Sequence, residues 1–402
     1  MPAFLQDFVQ NYAPFVLVIM VVITVHELGH FLTARAFGVA VERFSIGFGR
    51  ALVSWRDRAG TEWRIGWIPV GGYVKFSGDE NASSIPTRDD LASMRADIIA
   101  REGPGAEHRY LHFKPLWQRS LIILAGPAAN FLLAIVMYAI CVGVFGEPAM
   151  SARVLSVDPG SAAATAGFKP GDVILTADDR PVHSFEDVHF YVQFRAGVPI
   201  DFVVDRSGRR IEIVAKPDSA TQPSEFGGVE TIGRLGLKAR GGEIRRYGPI
   251  EAIAVGAGKT WDVTATTVFY LGRIITGHAS ADQLHSIVGI AHASGAITRQ
   301  ATDMARDAGV NWFVAVSFVS LQLAAMISVS VGLLNLLPIP ILDGGHLLFH
   351  AYEWIAQRPP GPSLQAAGYR VGLALLMGLM LFATWNDLYR LRVFHFFGSL
   401  FS

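Results

Sequence analysis

The stretch that decides the reading is FVLVIMVVITVHELGH, residues 15–30, an apolar run that ends in two histidines and a glutamate. No charged residue lies between Asp7 and His26. About 20 apolar residues cross a bilayer core as helix, so the run predicts a span over residues 8–36. His26 and His30, four apart, fall on one helix face with Cβ atoms about 5–6 Å apart, which suits two ligands of one tetrahedral zinc. Glu27 stands beside them as a candidate base for a water activated by that metal. An unpaired ionisable group at the end of an apolar run costs at least a few kcal/mol, and a shared metal would satisfy all three at once. The plain alternative is a helix end emerging into water with solvated histidines. The residues before the run hold Asp7 and no Lys or Arg, which argues against a cleavable signal peptide.

Working outward, three more windows lack charge: between Ser120 and Glu147, between Asp307 and Asp343, and between Arg370 and Asp387. They predict spans over 117–146, 312–337 and 367–388. Composition agrees. Of 402 residues, 51% are hydrophobic and 17% charged, where a soluble domain carries about 25% charged. The chain therefore reads as a membrane protein with some soluble mass. Zero formal net charge argues against a nucleic-acid partner held by a basic surface. The single cysteine, Cys141, excludes an internal disulfide or a Cys-cluster metal site and reads as a packed core residue.

Eleven Lys and Arg residues between positions 38 and 116, against none before the first span, place that loop on the cytoplasmic side. Arg390 and Arg392 point the other way. Within the loop, Phe44, Ile46 and Phe48, then Trp63, Ile65 and Trp67, then Tyr73, Val74 and Phe76 alternate in strand fashion between glycines. They predict a small antiparallel sheet over 43–79 close to the membrane. It is either a plain hairpin or an edge that holds an extended peptide. Residues 80–110, polar and of mixed charge, read as a mobile loop.

Ala152–Pro217 reads as a compact soluble domain. Strands are expected at Ala152–Val157 and Val173–Ala177, a short helix at Ala162–Ala166, and a helix from Ser184 as N-cap through Arg195. A hairpin of Asp201–Asp205 with Arg210–Ala215 follows. Beyond it, a strand-like piece at Ile232–Ala239 precedes amphipathic helices expected to pack on the outer membrane face. The whole divides into a first span with the histidine pair (1–37), a cytoplasmic loop with its sheet (38–116), a second span (117–146) and a soluble domain (148–218). An extracytoplasmic linker (219–311), a third span with the Asn-to-Asp-Gly run (312–345) and a final section with the fourth span (346–402) complete it.

The metal needs a third ligand. Thr33 and Ala36 exclude the continuation of the motif that metzincins use. The other ionisable cluster in an apolar setting is Asn335-Leu-Leu-Pro338-Ile-Pro340-Ile-Leu-Asp343-Gly-Gly-His346. Two prolines break the helix there, and irregular backbone at membrane depth persists only where it lines protein or a cavity. Asp343 would complete a His, His, Asp shell with an open position for water, with His346 as the rival ligand. Asn335 would donate to a developing oxyanion or to substrate backbone, or else cap a neighbouring helix. Two other functions compete: a non-catalytic scaffold with a structural metal, and a metal transporter, for which the second span offers only Asn130.

Together these residues resemble the site-2 protease family of intramembrane zinc metalloproteases, in the branch of the bacterial regulator of sigma-E protease. The resemblance rests on His26–His30 in a first span, Asn335–Gly345 at a third, and the Ala166-Gly-Phe-Lys-Pro-Gly-Asp172 run of a PDZ-like domain between them. Gly126-Pro-Ala-Ala-Asn130-Phe, Gly72-Tyr73-Val-Lys75 and Trp385-Asn-Asp387 match further. It implies a polytopic α-helical membrane protein of four transmembrane helices, with a membrane-associated β-sheet and an inserted α+β PDZ-like domain. It implies one Zn2+ held by His26, His30 and Asp343, with Glu27 as base and Asn335 and Pro338 handling substrate. It further implies that the sheet edge at Gly72 and Tyr73 clamps an unwound transmembrane segment. Substrates would be single-pass membrane proteins, such as anti-sigma factors trimmed beforehand or remnant signal peptides, and the location the bacterial inner membrane. Well-known members carry two PDZ domains, whereas one is found here, whose peptide or protein ligand is unspecified.

Overall fold

A computed structural model of the protein describes residues 13–78, 88–148, 152–182, 184–223, 229–239, 244–277, 287–307, 309 and 311–390. The chain forms two compact units, Met1–Tyr138 with Ser294–Ala383, and Ala139–Ala293 with Thr384–Ser402. Among the described residues, four helices are long and apolar enough to cross a membrane: Ala13–Ala36, Leu116–Phe145, Trp312–Leu336 and Pro362–Asp387. Their outer faces leave Leu17, Leu132, Leu334, Val371 and Leu381 exposed, as side chains facing hydrocarbon would be. The fourth begins five residues before the expected 367, because Pro362 fits a first helical turn and Arg370 lies inside the helix. The last residues of the second span, Cys141–Phe145, form a π turn in which Cys141 is buried as expected.

In the first unit, Val41–Arg56 and Glu62–Phe76 pair antiparallel as two long, bent strands. Ser45 pairs with both Arg64 and Tyr73, and Trp55 pairs with Trp63. The sheet therefore runs in the order 72–76, 41–46, 62–66, 51–56, with the segment 72–76 at one edge. The three alternating runs seen in the sequence are its first three members. The sheet packs on the end of the first span, where Phe31, Ala34, Phe44 and Ile122 form a buried cluster with Trp63, Val74 and Phe76 against it. Phe31, Phe44 and Trp63 meet at centroid distances of 4.7–5.3 Å, within the favourable range for aromatic pairs.

The mobile loop expected over 80–110 is overturned for its described part. Arg88–Glu102 is a helix, followed by 3-10 turns at Ala106–Arg109 and Leu111–Phe113. Leu91, Met94 and Ile98 recur at helical spacing and Ile98 is buried, a narrow apolar stripe that the surrounding charges hid.

The second unit contains an α+β core. Its four-stranded antiparallel sheet runs in the order Arg180–Pro181, Val173–Ala177, Ile200–Arg206, Arg209–Ala215. Ile200, Phe202 and Val204 alternate inward and pack with Val154, Ile174, Val188 and Val192. Ser184 and Asp187 close a capping box on the helix Phe185–Gln193, two residues shorter than expected. The core reaches past residue 218: Leu235 joins it, and Leu237–Ala239 pairs with Val154–Val157. Long helices follow at Pro249–Ile275 and Ile287–Asp307. The buried Asp387 carboxylate accepts the Gly289 N–H at 3.1 Å, occupying a donor in the first turn of the latter helix.

Asp172, fully buried, takes both oxygens to the Arg206 guanidinium at 2.7 and 2.8 Å and accepts the Lys169 N–H. Burial alone would push this carboxyl up; the guanidinium and the N–H hold it below the usual carboxylate range. A lowered folded-state pKa means the stabilisation is present above the unfolded value of about 3.9 and fades as pH falls below it. Asp172→Asn should cost roughly 2–3 kcal/mol at pH 7. Amide hydrogen exchange of residues 200–215 in the full-length protein should accelerate by tens of fold at pH 7. The difference from wild type should shrink towards pH 3.

Candidate metal centre

The first and second spans run side by side because glycines stand where they touch. A Cβ on Gly29 would lie 2.3 Å from the Ala125 carbonyl oxygen, and one on Gly126 would lie 2.3 Å from His30 Nε2 and 2.9 Å from His26 Cε1. Small residues at such a crossing let backbones approach closely. Into this contact the first span turns His26 and His30, whose Nε2 atoms are 3.2 Å apart. The third span ends at Leu336, an irregular stretch follows, and a helix restarts at Asp343. Gly344 and Gly345 have no room for a Cβ against the carbonyls of Leu336, Leu337 and Ile339, so the new helix folds tightly back on that stretch. Its first residue thereby reaches the histidines, with Asp343 Oδ2 at 3.2 Å from His26 Nε2 and 3.5 Å from His30 Nε2.

These three distances test whether a metal fits. Ligands bonded to zinc at 2.0–2.1 Å in a tetrahedron lie about 3.3–3.4 Å from one another. The observed 3.2, 3.2 and 3.5 Å match that edge. Asp343 Oδ2 is buried without a hydrogen-bond partner, and His30 Nδ1 lies 2.8 Å from the Ile122 carbonyl. A carbonyl only accepts, so Nδ1 carries the proton and Nε2 presents its lone pair to the centre. The donor set of two imidazoles and a carboxylate is one that zinc takes. Among the described residues His346 does not join the converging set, although it lines the same cavity. Of the two candidate third ligands, the geometry brings in Asp343.

The cavity around the centre has a volume of about 320 Å3, and Glu27, Tyr73, Val74, Asn335 and His346 contribute to its walls. Val74 and Glu27 line the same cavity, and a Cβ on Gly72 would lie 3.4 Å from Glu27 Cγ. The sheet edge thus runs directly past the glutamate. Pro338 lies in the irregular stretch after the third span and is not among the residues that line the cavity.

Several neighbours carry no local signature in the sequence. Arg119 grips Glu353 through two nitrogens at 2.6 and 3.3 Å, and Ser120 Oγ meets His350 Nδ1 at 3.0 Å. Both pairs tie the start of the second span to the helix Asp343–Ala356, and so hold Asp343 in place. Arg119 and His112 also line a second cavity of about 500 Å3. Burial and the Arg119 cation push the His112 imidazole down to about 4, so it faces both cavities as a neutral ring.

Comparison with known proteins finds similarity along nearly the whole chain. Peptidase family M50 matches residues 14–379. Metalloprotease MmpA of Caulobacter vibrioides is 50% identical over 386 residues, 96% of this chain and 97% of that protein. A provisionally named zinc metalloprotease of Agrobacterium fabrum is 41% identical over 379 residues, covering 93% and 94% of the two chains. Another, from Rhizobium meliloti, is 37% identical over 389 residues, covering 96% and 98%.

Gly126→Ala should weaken divalent-metal retention at least tenfold, because the added methyl displaces both imidazoles. Alanine is the better helix former, so the loss should come without loss of helix content. Metal analysis and far-UV circular dichroism of the purified variant read the two separately.

Proposed function

The chain belongs to peptidase family M50 and is a metalloprotease with four membrane-length helices; on that premise we propose that it hydrolyses peptide bonds inside the transmembrane segments of single-pass membrane proteins. The observation that carries this reading is a tetrahedral donor triangle, with a glutamate and a sheet edge beside it, built on helices of membrane-spanning length. His26, His30 and Asp343 would hold one zinc ion. Zinc, when bound, supplies Lewis acidity for the scissile carbonyl and for an attacking water.

The chain's own residues do the rest. A transmembrane helix has its amides hydrogen-bonded internally, so it must be locally unwound before it is cut. The edge at 72–76 offers backbone partners to the unwound strand, with Gly72 and Tyr73 positioning it beside Glu27. Glu27 takes the proton of the attacking water and later delivers it to the leaving amine. Asn335, on the cavity wall, donates to the oxyanion, and Pro338 shapes the break after the third span.

Exposed Phe48, Leu52, Trp55 and Trp67 on the sheet suit contact with lipid. The order of elements in the α+β unit supports a PDZ-like domain taking a peptide beside its helix Phe185–Gln193. We place the enzyme in the bacterial inner membrane, with the sheet cytoplasmic and the PDZ-like domain outside, serving regulated intramembrane proteolysis of anti-sigma factors or remnant signal peptides. A scaffold with a structural zinc would need a closed four-ligand shell, and three groups converge among the described residues.

Glu27→Gln should keep one zinc per chain and slow cleavage of a single-span substrate in proteoliposomes by at least about 100-fold. His26→Ala should lose metal and cleavage together. Equal cleavage by wild type and Glu27→Gln would remove the glutamate from the reaction.

A further inference from the structure

The second span presents Ile122, Gly126 and Asn130 at four-residue spacing, one stripe of a helix, opposite His30 and His26. The Ile122 carbonyl receives His30 Nδ1–H, and Gly126 leaves the gap into which both rings pack. At the third position the Asn130 amide lies 3.2 Å from His26 Nδ1. Its side chain is fully buried, and its backbone carbonyl accepts the Ser328 hydroxyl at 2.8 Å, which fixes this turn against the third span.

The two ends of that amide have opposite consequences. With Nδ2 towards the ring, His26 Nδ1 must accept, the proton sits on Nε2, and the atom facing Asp343 has no lone pair to give. That orientation leaves Asn130 Oδ1 buried and without a partner, and a half-turn would put Nδ2 in the same place, so the ring decides between the two. A half-turn of the amide, which barely changes its shape, brings Oδ1 to the ring. Nδ1 then donates and Nε2 is free to bind, the state that the Ile122 carbonyl imposes on His30.

We propose that Asn130 is the positioning residue that selects the metal-binding tautomer of His26, acting as an acceptor through Oδ1. The inference rests on the zinc reading of His26, His30 and Asp343 and adds to it the group that sets the first histidine. Such outer partners are worth roughly 10–100-fold in metal affinity.

Zinc affinity of the purified full-length protein, measured by competition with a chromogenic chelator, tests this without reference to cleavage. Asn130→Leu, close in size and unable to accept, should bind zinc 10–100-fold more weakly than wild type. Asn130→Asp, which can only accept, should stay within about threefold of wild type. The cobalt-substituted Asn130→Asp protein should keep the wild-type visible spectrum. Wild-type affinity in Asn130→Leu would overturn the proposal. So would equal losses in the two variants, since a carboxylate keeps the size of the amide and its acceptor but cannot serve a donor role. Absence of zinc binding in wild type would instead sink the parent reading, and the inference with it.

Discussion

The structure depends on the close antiparallel contact between the first and second spans at Gly29 and Gly126. Two helices with ordinary side chains at this crossing would stand several ångströms farther apart. His26 and His30 would then face a gap, and neither the Ile122 carbonyl nor the Asn130 amide would reach an imidazole. Close approach converts an i, i+4 histidine pair, common enough on helices, into a pair whose outer nitrogens are held from behind. It also accounts for the small residues Ala125, Gly126 and Ala129 at the crossing, in a helix otherwise rich in leucine and isoleucine.

The third donor is delivered by a different device. Asp343 opens a helix, where a carboxylate is favoured by the aligned peptide dipoles, and that helix begins only because the third span has stopped seven residues earlier. Broken helix at this depth is costly unless protein covers the freed backbone groups. Gly344 and Gly345 allow that covering, and Gly368 and Gly372 of the fourth span bring their own backbone against Pro340 and Ile339. The Arg119–Glu353 pair, with both side chains more than four-fifths buried, braces the far end of the same helix. Removing either partner would strand a charge in a poorly solvated place.

Local pattern made much of this legible. The charge-free windows located four spans, and period-two alternation located the sheet. The two ionisable clusters at span ends, 26–30 and 335–346, marked the donors. What escaped was non-local or carried by backbone. Arg119 and Glu353 are 234 residues apart, and nothing near either predicts the other. The partner of His30 is a main-chain carbonyl, which every residue possesses. Asn130 is the one ligand-like polar group in the charge-free window of its span, but its task follows only from the crossing of the two helices. The helix Arg88–Glu102 was missed because its apolar stripe is three residues wide among charges, and the start of the fourth span because Arg370 interrupts the apolar window without interrupting the helix.

The placement of the sheet completes the physical logic of the proposed reaction. An open strand edge is ordinarily a hazard that proteins blunt with charge, proline or a covering element. Here the segment 72–76 pairs on one side with 41–46, and Tyr73, Val74 and Phe76 line the cavity that holds Glu27. A strand added there would exchange helical hydrogen bonds for sheet hydrogen bonds, so that unwinding an apolar segment costs far less than leaving its amides unpaired in hydrocarbon. The same exchange would lay the strand's carbonyls in the cavity beside the donor triangle. In the proposed reaction, substrate selection would turn less on side-chain recognition than on how readily a given helix gives up its local hydrogen bonds. Helices weakened by glycine, proline or β-branched residues would therefore reach the edge first.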